Sequence, residues 1–289
     1  MTFLHVILLA IVQGLAELLP VSSSAHVVVT EKLLGMDPTA PETTLLLVML
    51  HTGTMFAVIV YFWRRWRQRF FQNATDFWRF AWLLGLATVL TGVIGGALIK
   101  GIEKSLAHGA SKAWIEELFD RLDLIAPALA AAGLLILIAG LLEKRRQSAA
   151  AAGQSSMTAG QAALIGAVQG LCLPFRGFSR SGATISAGML SGVSKPLSED
   201  FSFALAVILT PAVIGREVLR LLQLRHLDHP AALSSAVGLS LFGAVCAFLA
   251  GLLALQWLSR WLEAGRWYLF GIYCLLAAGV VMLLHYRGF

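Results

Sequence analysis

Charge is what this chain has least of. Asp, Glu, Lys and Arg make up 13% of its 289 residues, where a soluble globular domain carries about 25%, and the mean hydropathy is +0.77. That scarcity excludes a soluble domain with an ordinary polar surface, and the chain reads as an integral membrane protein. Cysteine is sparse too: Cys172, Cys246 and Cys274 stand alone in apolar sequence without CxxC or Cys/His spacing, which excludes a cysteine-based metal centre and leaves them as small packing residues. P-loop, H-E-x-x-H and Asp-rich prenyl-binding patterns are also missing, so any chemistry on phosphate has to be built from other parts.

What is present is long apolar runs. Crossing ~30 Å of hydrocarbon takes roughly 20 apolar residues, and residues 43–63, 81–99, 124–142, 231–258 and 267–284 qualify, all five without Asp, Glu, Lys or Arg. A sixth stretch, 201 to about 222, stays apolar until Arg216. The expected fold is an all-α polytopic membrane protein of about six transmembrane helices plus two re-entrant helix pairs. The net charge of +6 sits in basic groups that bracket the spans, which points to topology and anionic lipid rather than nucleic acid. Arg64, Arg65, Arg67 and Arg69, and then Lys144, Arg145 and Arg146, are expected on the cytoplasmic side, two spans apart. The charge-balanced loop 100–123 between those spans is expected outside. Residues 2–16 followed by small residues resemble a secretory signal, but the basic leader is missing and Gln13 and Glu17 interrupt the run, so no cleavage is expected.

The chain repeats itself. Residues 10–26, AIVQGLAELLPVSSSAH, have a counterpart in residues 166–184, GAVQGLCLPFRGFSRSGAT, with V-Q-G-L at an offset of 156 (169 minus 13). Paired apolar segments broken by Gly, Pro and Ser at corresponding places point to discontinuous helices. Broken backbone at membrane depth has to be buried in protein or line a wet cavity. The single membrane domain, 1–289, is therefore divided into a first half, 1–146, with a re-entrant segment near 3–30, and a second half, 159–289, with one near 160–192. Residues 147–158 form a small-residue linker. Three spans between the repeats invert the second half and let the two polar turns converge.

Those turns carry the chemistry. Glu17 is an acidic group at membrane depth, about 2.5–3.5 kcal/mol unfavourable on insertion scales, and it marks either a function or a structural ion pair. Gln13 lies one turn earlier on the same face. Ser22, Ser23 and Ser24 offer hydroxyls, at least one of them expected to cap the next helix, and His26 offers an imidazole suited to proton transfer. The second turn offers Arg176, Ser179, Arg180, Ser181 and Thr184 around Gly177 and Gly182. Arginine forks match phosphate oxygens, and glycines let backbone N–H groups approach an anion. Donors for phosphate, a carboxylate, a hydroxyl and a histidine together suggest phosphoryl chemistry on an amphiphile. His51, inside 43–63, is read as a hydrogen-bonded packing residue rather than a cavity-lining one.

QGLAELLPVSSSAH resembles the (E/Q)xxxE and PVSSxxH signature, and GFSRSGAT the PGxSRSxxT signature, of the BacA-type undecaprenyl-pyrophosphate phosphatases. The resemblance extends along nearly the whole chain, including SGVSKPLSEDFSFALAV at 191–207. It implies hydrolysis of undecaprenyl diphosphate to the monophosphate at the outer face of the bacterial inner (plasma) membrane. That reaction recycles the lipid carrier for peptidoglycan and other cell-wall glycans, and it implies bacitracin resistance because bacitracin competes for the diphosphate. By position, Glu17, Ser23, His26 and Arg180 resemble the catalytic set, with Gln13 supporting. Ser23 is the implied nucleophile and His26 its proton-transfer partner, and a water activated by Glu17 stays open as the alternative. Ser22, Ser24, Arg176, Ser179, Ser181 and Thr184 resemble the phosphate-binding set. The resemblance also implies a divalent cation, Mg²⁺ or Ca²⁺, at Glu17 with Gln13 nearby. Gln13 stands where many members have a second glutamate, Arg176 where they have proline, and Ala25 where glycine is usual, which implies that position 25 needs no positive φ. A transporter or flippase of the polyprenyl phosphate carrier, and a lipid-binding homologue without activity, are the alternatives. A homodimer is one candidate assembly.

Overall fold

Two prolines decide where the N-terminal halves of the repeats break. In a computed structural model of the chain, which describes residues 2–37, 40–106, 121–148, 156–224 and 230–288, helix α1 (Phe3–Leu18) starts at Thr2, whose side chain accepts the His5 N–H at 3.3 Å. It ends where Leu19 turns extended, at φ −79 and ψ 151, ahead of Pro20, the conformation that a following proline favours. Helix α2 (Ser23–Leu33) follows. In the second half, α6 (Ala159–Cys172) opens on a capping box between Thr158 and Gln161 and closes ahead of Pro174, and α7 (Arg180–Leu190) starts from Ser179. At about 1.5 Å per residue none of these four helices reaches across ~30 Å of hydrocarbon by itself.

The remaining helices are α3 (Pro41–Phe70), α4 (Ala74–Leu106), α5 (Leu122–Ser148), α8 (Lys195–Leu224), α9 (Pro230–Glu263) and α10 (Trp267–Tyr286). Among the described residues there are ten helices and no strand. Five of them, α3, α4, α5, α9 and α10, are long and apolar enough to cross a membrane, and they hold the five apolar runs of the sequence in order. The sixth run lies in α8, a 30-residue helix with Pro211 inside it. Most of the expected outer loop and of the expected linker falls outside the described residues.

The short helices dock on the opposite half of the chain. Gly14 of α1 lies against Ala247, Ala250 and Gly251 of α9, where a Cβ would meet the Ala250 methyl at 2.6 Å. Gly170 of α6 lies against Thr91, Ile94 and Gly95 of α4, where a Cβ would meet Thr91 oxygen at 3.0 Å. Each of these four positions in the first half has its counterpart in the second at the same offset of 156. Small residues let helix backbones approach where lipid supplies no hydrophobic drive for association.

The basic clusters are used inside the protein as well as at its edges. Arg65 reaches Glu199 at 3.0 Å and Asp200 at 2.8 Å, and Arg69 also pairs with Asp200. Both carboxylates are buried at the start of α8, and buried carboxylates require cations beside them. Trp66 donates to the Asp200 carbonyl at 3.1 Å, behind a layer of Phe62, Phe201 and Phe203. Arg146 donates to the Met189 carbonyl at the end of α7, 2.9 Å away. The arginines expected only as topology signals therefore also tie α3 to α8 and α5 to α7. All three cysteines are free.

Candidate active site

The two helix breaks are stitched face to face. Ser24 Oγ accepts the Gly177 N–H at 3.1 Å, and Ser181 Oγ donates to the Leu19 carbonyl at 3.3 Å. Gly177 has φ 96 and lies so close to Ile125 that a Cβ would meet its carbonyl oxygen at 2.5 Å, so only glycine fits this approach. Arg180, at the first turn of α7, donates to Glu17 Oε1 at the last turn of α1. The Glu17 side chain is 11% exposed and that of Arg180 31%, so each charge has its main compensation in the other.

Glu17 Oε2 collects two further donors: Ser23 Oγ at 2.5 Å and Gln13 Nε2 at 3.2 Å. The helical spacing of Gln13 and Glu17 makes the second bond. Proline-induced reversal of the chain makes the first, by folding Ser23 back onto the end of α1. Gln13 is wholly buried, and its Oε1 has no hydrogen-bond partner among the described residues.

Serine capping of α2 is not what the structure shows. Ser22 occupies the N-cap position without a side-chain capping bond, and it has φ 69 and ψ 92 where a capping residue is usually extended. It is the one non-glycine residue with positive φ among the described residues, a strain of about 1–3 kcal/mol that tends to collect at functional turns. Its hydroxyl lies 3.3 Å from that of Ser24. Ala25, by contrast, is buried inside α2 with no positive φ, as its methyl group implied.

His26 and Ser23 point to different partners. His26 Nδ1 lies 2.8 Å from the Ser22 carbonyl and Nε2 lies 2.7 Å from the Tyr273 hydroxyl. A carbonyl only accepts, so Nδ1 carries the hydrogen, and in the neutral ring Nε2 accepts from Tyr273. Ser23 gives its hydrogen to Glu17 instead. In the second turn, Ser179 accepts from the Gly182 N–H at 3.2 Å, and buried Thr184 donates to the Arg180 carbonyl at 2.8 Å. Both hydroxyls thus shape the backbone that presents Arg180, while Arg176 is exposed beside the break.

Two further side chains complete the site without having been placed there by sequence pattern. Tyr273 of α10 stacks on His26 with ring centroids 5.7 Å apart. His51 of α3 is a correction to the sequence reading: it does bond the chain, Nδ1 to the Leu47 carbonyl at 2.8 Å, but its Nε2 faces Glu17 Oε2 at 3.8 Å and it lines the cavity. Apolar periodicity in α3 shows that His51 interrupts a hydrophobic run, yet it does not show that the end of α1 packs there. The cavity, about 20 Å³, is bounded by Glu17, His51, Thr54, Arg180, Phe203 and Thr210.

The donor set does not make a cage for a metal ion. Glu17 is a single carboxylate whose two oxygens already hold Arg180, Ser23 and Gln13. No three His, Cys, Asp or Glu side chains converge among the described residues, whereas Ca²⁺ takes 6–8 oxygens and Mg²⁺ about six.

Among the described residues, an all-helical bundle with five membrane-length helices, and two broken helices joined across a buried carboxylate–arginine pair, defines a multi-pass membrane protein with a polar site at the paired breaks. The chain belongs to the BacA family, whose model, described as bacitracin resistance protein BacA, matches residues 6–281. It is 56% identical to "Undecaprenyl-diphosphatase 2" of Acinetobacter baylyi over 98% of both chains. It is 36% identical to "Undecaprenyl-diphosphatase" of Syntrophotalea carbinolica, over 97% of this chain and 98% of that one. A protein of the same name from Rhodopirellula baltica is 33% identical over 98% of both.

Proposed function

We propose that this protein hydrolyses undecaprenyl diphosphate to undecaprenyl monophosphate and inorganic phosphate, and so returns the lipid carrier to cell-wall synthesis. The observation that carries the reading is the Glu17–Arg180 pair joining the two breaks, in a chain whose relatives bear the name of that activity. Arg180 offers a planar fork for the phosphate oxygens, and it can turn from Glu17 to the substrate without leaving the site. Glu17 then stands free to accept a hydrogen from the attacking oxygen, and Ser23, already bonded to it, fixes its orientation. Gln13 holds the same carboxylate from the other side and brings no charge of its own.

The two short-helix pairs are re-entrant in this reading, and the halves form an inverted repeat whose site opens to the outer face of the bacterial plasma membrane. Arg65, Arg69 and Arg146 then lie toward the cytoplasm, in keeping with the positive-inside rule. Bacitracin opposes the enzyme by binding its diphosphate substrate. Any divalent cation would be held mainly by the diphosphate oxygens, because no three metal-ligating side chains converge on Glu17 among the described residues.

The test is phosphate release by the full chain, purified in detergent, from a long-chain prenyl diphosphate. Release well above that of a mock preparation is expected. Its absence, from folded protein with and without added Mg²⁺ or Ca²⁺, would overturn the assignment. The swapped docking of α1 on α9 and α6 on α4 favours transport as a second reading, since repeats of that kind build transporters. Liposomes carrying labelled lipid separate the two: hydrolysis without movement between leaflets leaves the phosphatase alone standing.

A further inference from the structure

With a neutral imidazole at His51, that ring and Glu17 face one another as two acceptors. The Leu47 carbonyl 2.8 Å from Nδ1 requires the ring hydrogen there, which leaves the Nε2 lone pair of the neutral ring directed toward Glu17 Oε2. Their separation of 3.8 Å is too long for a hydrogen bond, and two acceptors cannot bond each other in any case. A group with two hydrogens satisfies both at once. The adjoining cavity of about 20 Å³ has room for one water, and the polar groups of Glu17, His51 and Arg180 supply two to four hydrogen-bonding partners to hold it.

We infer that Glu17 and His51 together hold the water that attacks the terminal phosphorus, which makes His51 a further catalytic residue of this site. The inference rests on the diphosphatase reading above and specifies its nucleophile. A water that gives one hydrogen to each acceptor keeps its lone pairs for the side of the cavity that Arg180 shares, where a bound phosphate would lie. In the reaction the water oxygen bonds to the terminal phosphorus. The bond from that phosphorus to the bridging oxygen breaks, and its electron pair leaves with the polyprenyl monophosphate. The released proton passes to the Glu17–His51 pair, and the product is inorganic phosphate. No covalent enzyme intermediate forms, and Ser23 serves to orient Glu17.

The experiment compares wild type, His51→Ala, His51→Gln and Ser23→Ala as full-length protein with a long-chain prenyl diphosphate. His51→Ala is expected to lower kcat by ~100-fold or more, the scale of a lost proton acceptor, with KM changed little. Added imidazole, which fits the space vacated by the ring, is expected to restore part of that turnover, a response that a merely structural role would not give. Ser23→Ala is expected to keep measurable turnover, and no phosphate should be trapped on the protein in rapid-quench samples. Should His51→Ala fail to fold, His51→Gln, whose amide oxygen can still accept a hydrogen bond from the water but takes up no proton, carries the comparison, and its kcat is expected to fall as well. An unchanged kcat in the folded His51 variant, or phosphate trapped covalently on Ser23, overturns the inference and leaves the diphosphatase reading intact. A wild type that releases no phosphate overturns that reading instead.

Discussion

Replacing Glu17 with Gln is expected to abolish phosphate release, by ~1,000-fold or more, in protein that still folds. The substitution keeps the volume at the end of α1 and keeps a carbonyl oxygen to accept from Ser23 or Gln13. What it removes is the negative charge opposite Arg180, together with the acceptor that takes up the hydrogen of the attacking oxygen. General acid–base groups supply about 100- to 10,000-fold, and the loss here is placed within that range because the amide takes up no proton and, with its oxygen kept for Ser23 and Gln13, turns its NH₂ toward the Arg180 guanidinium. Breaking a buried ion pair by deleting one partner costs about 3–5 kcal/mol, but the Arg180 side chain is 31% exposed and reaches water, so the fall in stability is expected to be smaller. Phosphate release and thermal unfolding in the same detergent preparation check both halves. Turnover within tenfold of wild type would remove Glu17 from the role assigned to it.

The largest structural effect is expected at Gly166. A Cβ there would sit 2.4 Å from the Ala87 carbonyl oxygen and 2.6 Å from the Ala87 Cα, so Gly166→Val has to push α6 away from the backbone of α4. Real Cβ atoms do not approach backbone so closely, and no flexible side chain is there to move aside. The same contact carries the Thr91 hydroxyl, which lies 2.9 Å from the Gly166 carbonyl and would lose that acceptor. In lipid the helices are held by such close packing rather than by hydrophobic drive, so Gly166→Val is expected to leave little monodisperse protein after detergent extraction. Gly96→Val on α4 is the control. A Cβ at Gly96 meets nothing within 4 Å, and the yield should stay near wild type. Equal yields for the two variants would show that the α4–α6 seam tolerates separation.

Some of this molecule is written locally. Apolar runs of the right length fix which segments form the membrane-length helices, because a chain in hydrocarbon has to satisfy its backbone within each segment. Pro20 and Pro174, each followed by a Ser- or Gly-rich turn, mark the breaks, because a ring without an N–H costs the helix a bond; Pro127 and Pro211, set in apolar runs, are carried inside α5 and α8. The four-residue spacing of Gln13 and Glu17 suffices for their bond, since helical geometry stacks i on i+4.

The remainder depends on which faces meet. Nothing in the run of residues around His51 tells that α3 passes the end of α1, and Tyr273 lies 247 residues from the ring it touches. The family resemblance implies His26 as the proton-transfer partner of Ser23, yet at the turn the chain sends Ser23 toward Glu17 and His26 toward α10. The arginines of α3 carry the charge of a topology signal, and only the packing of α3 on α8 hands two of them to Glu199 and Asp200. The sequence by itself determined the helices, their breaks and the residue types available for phosphate chemistry. Tertiary structure decided the partner of each polar side chain, because helix periodicity defines a face, whereas a hydrogen bond needs two faces brought within about 3 Å.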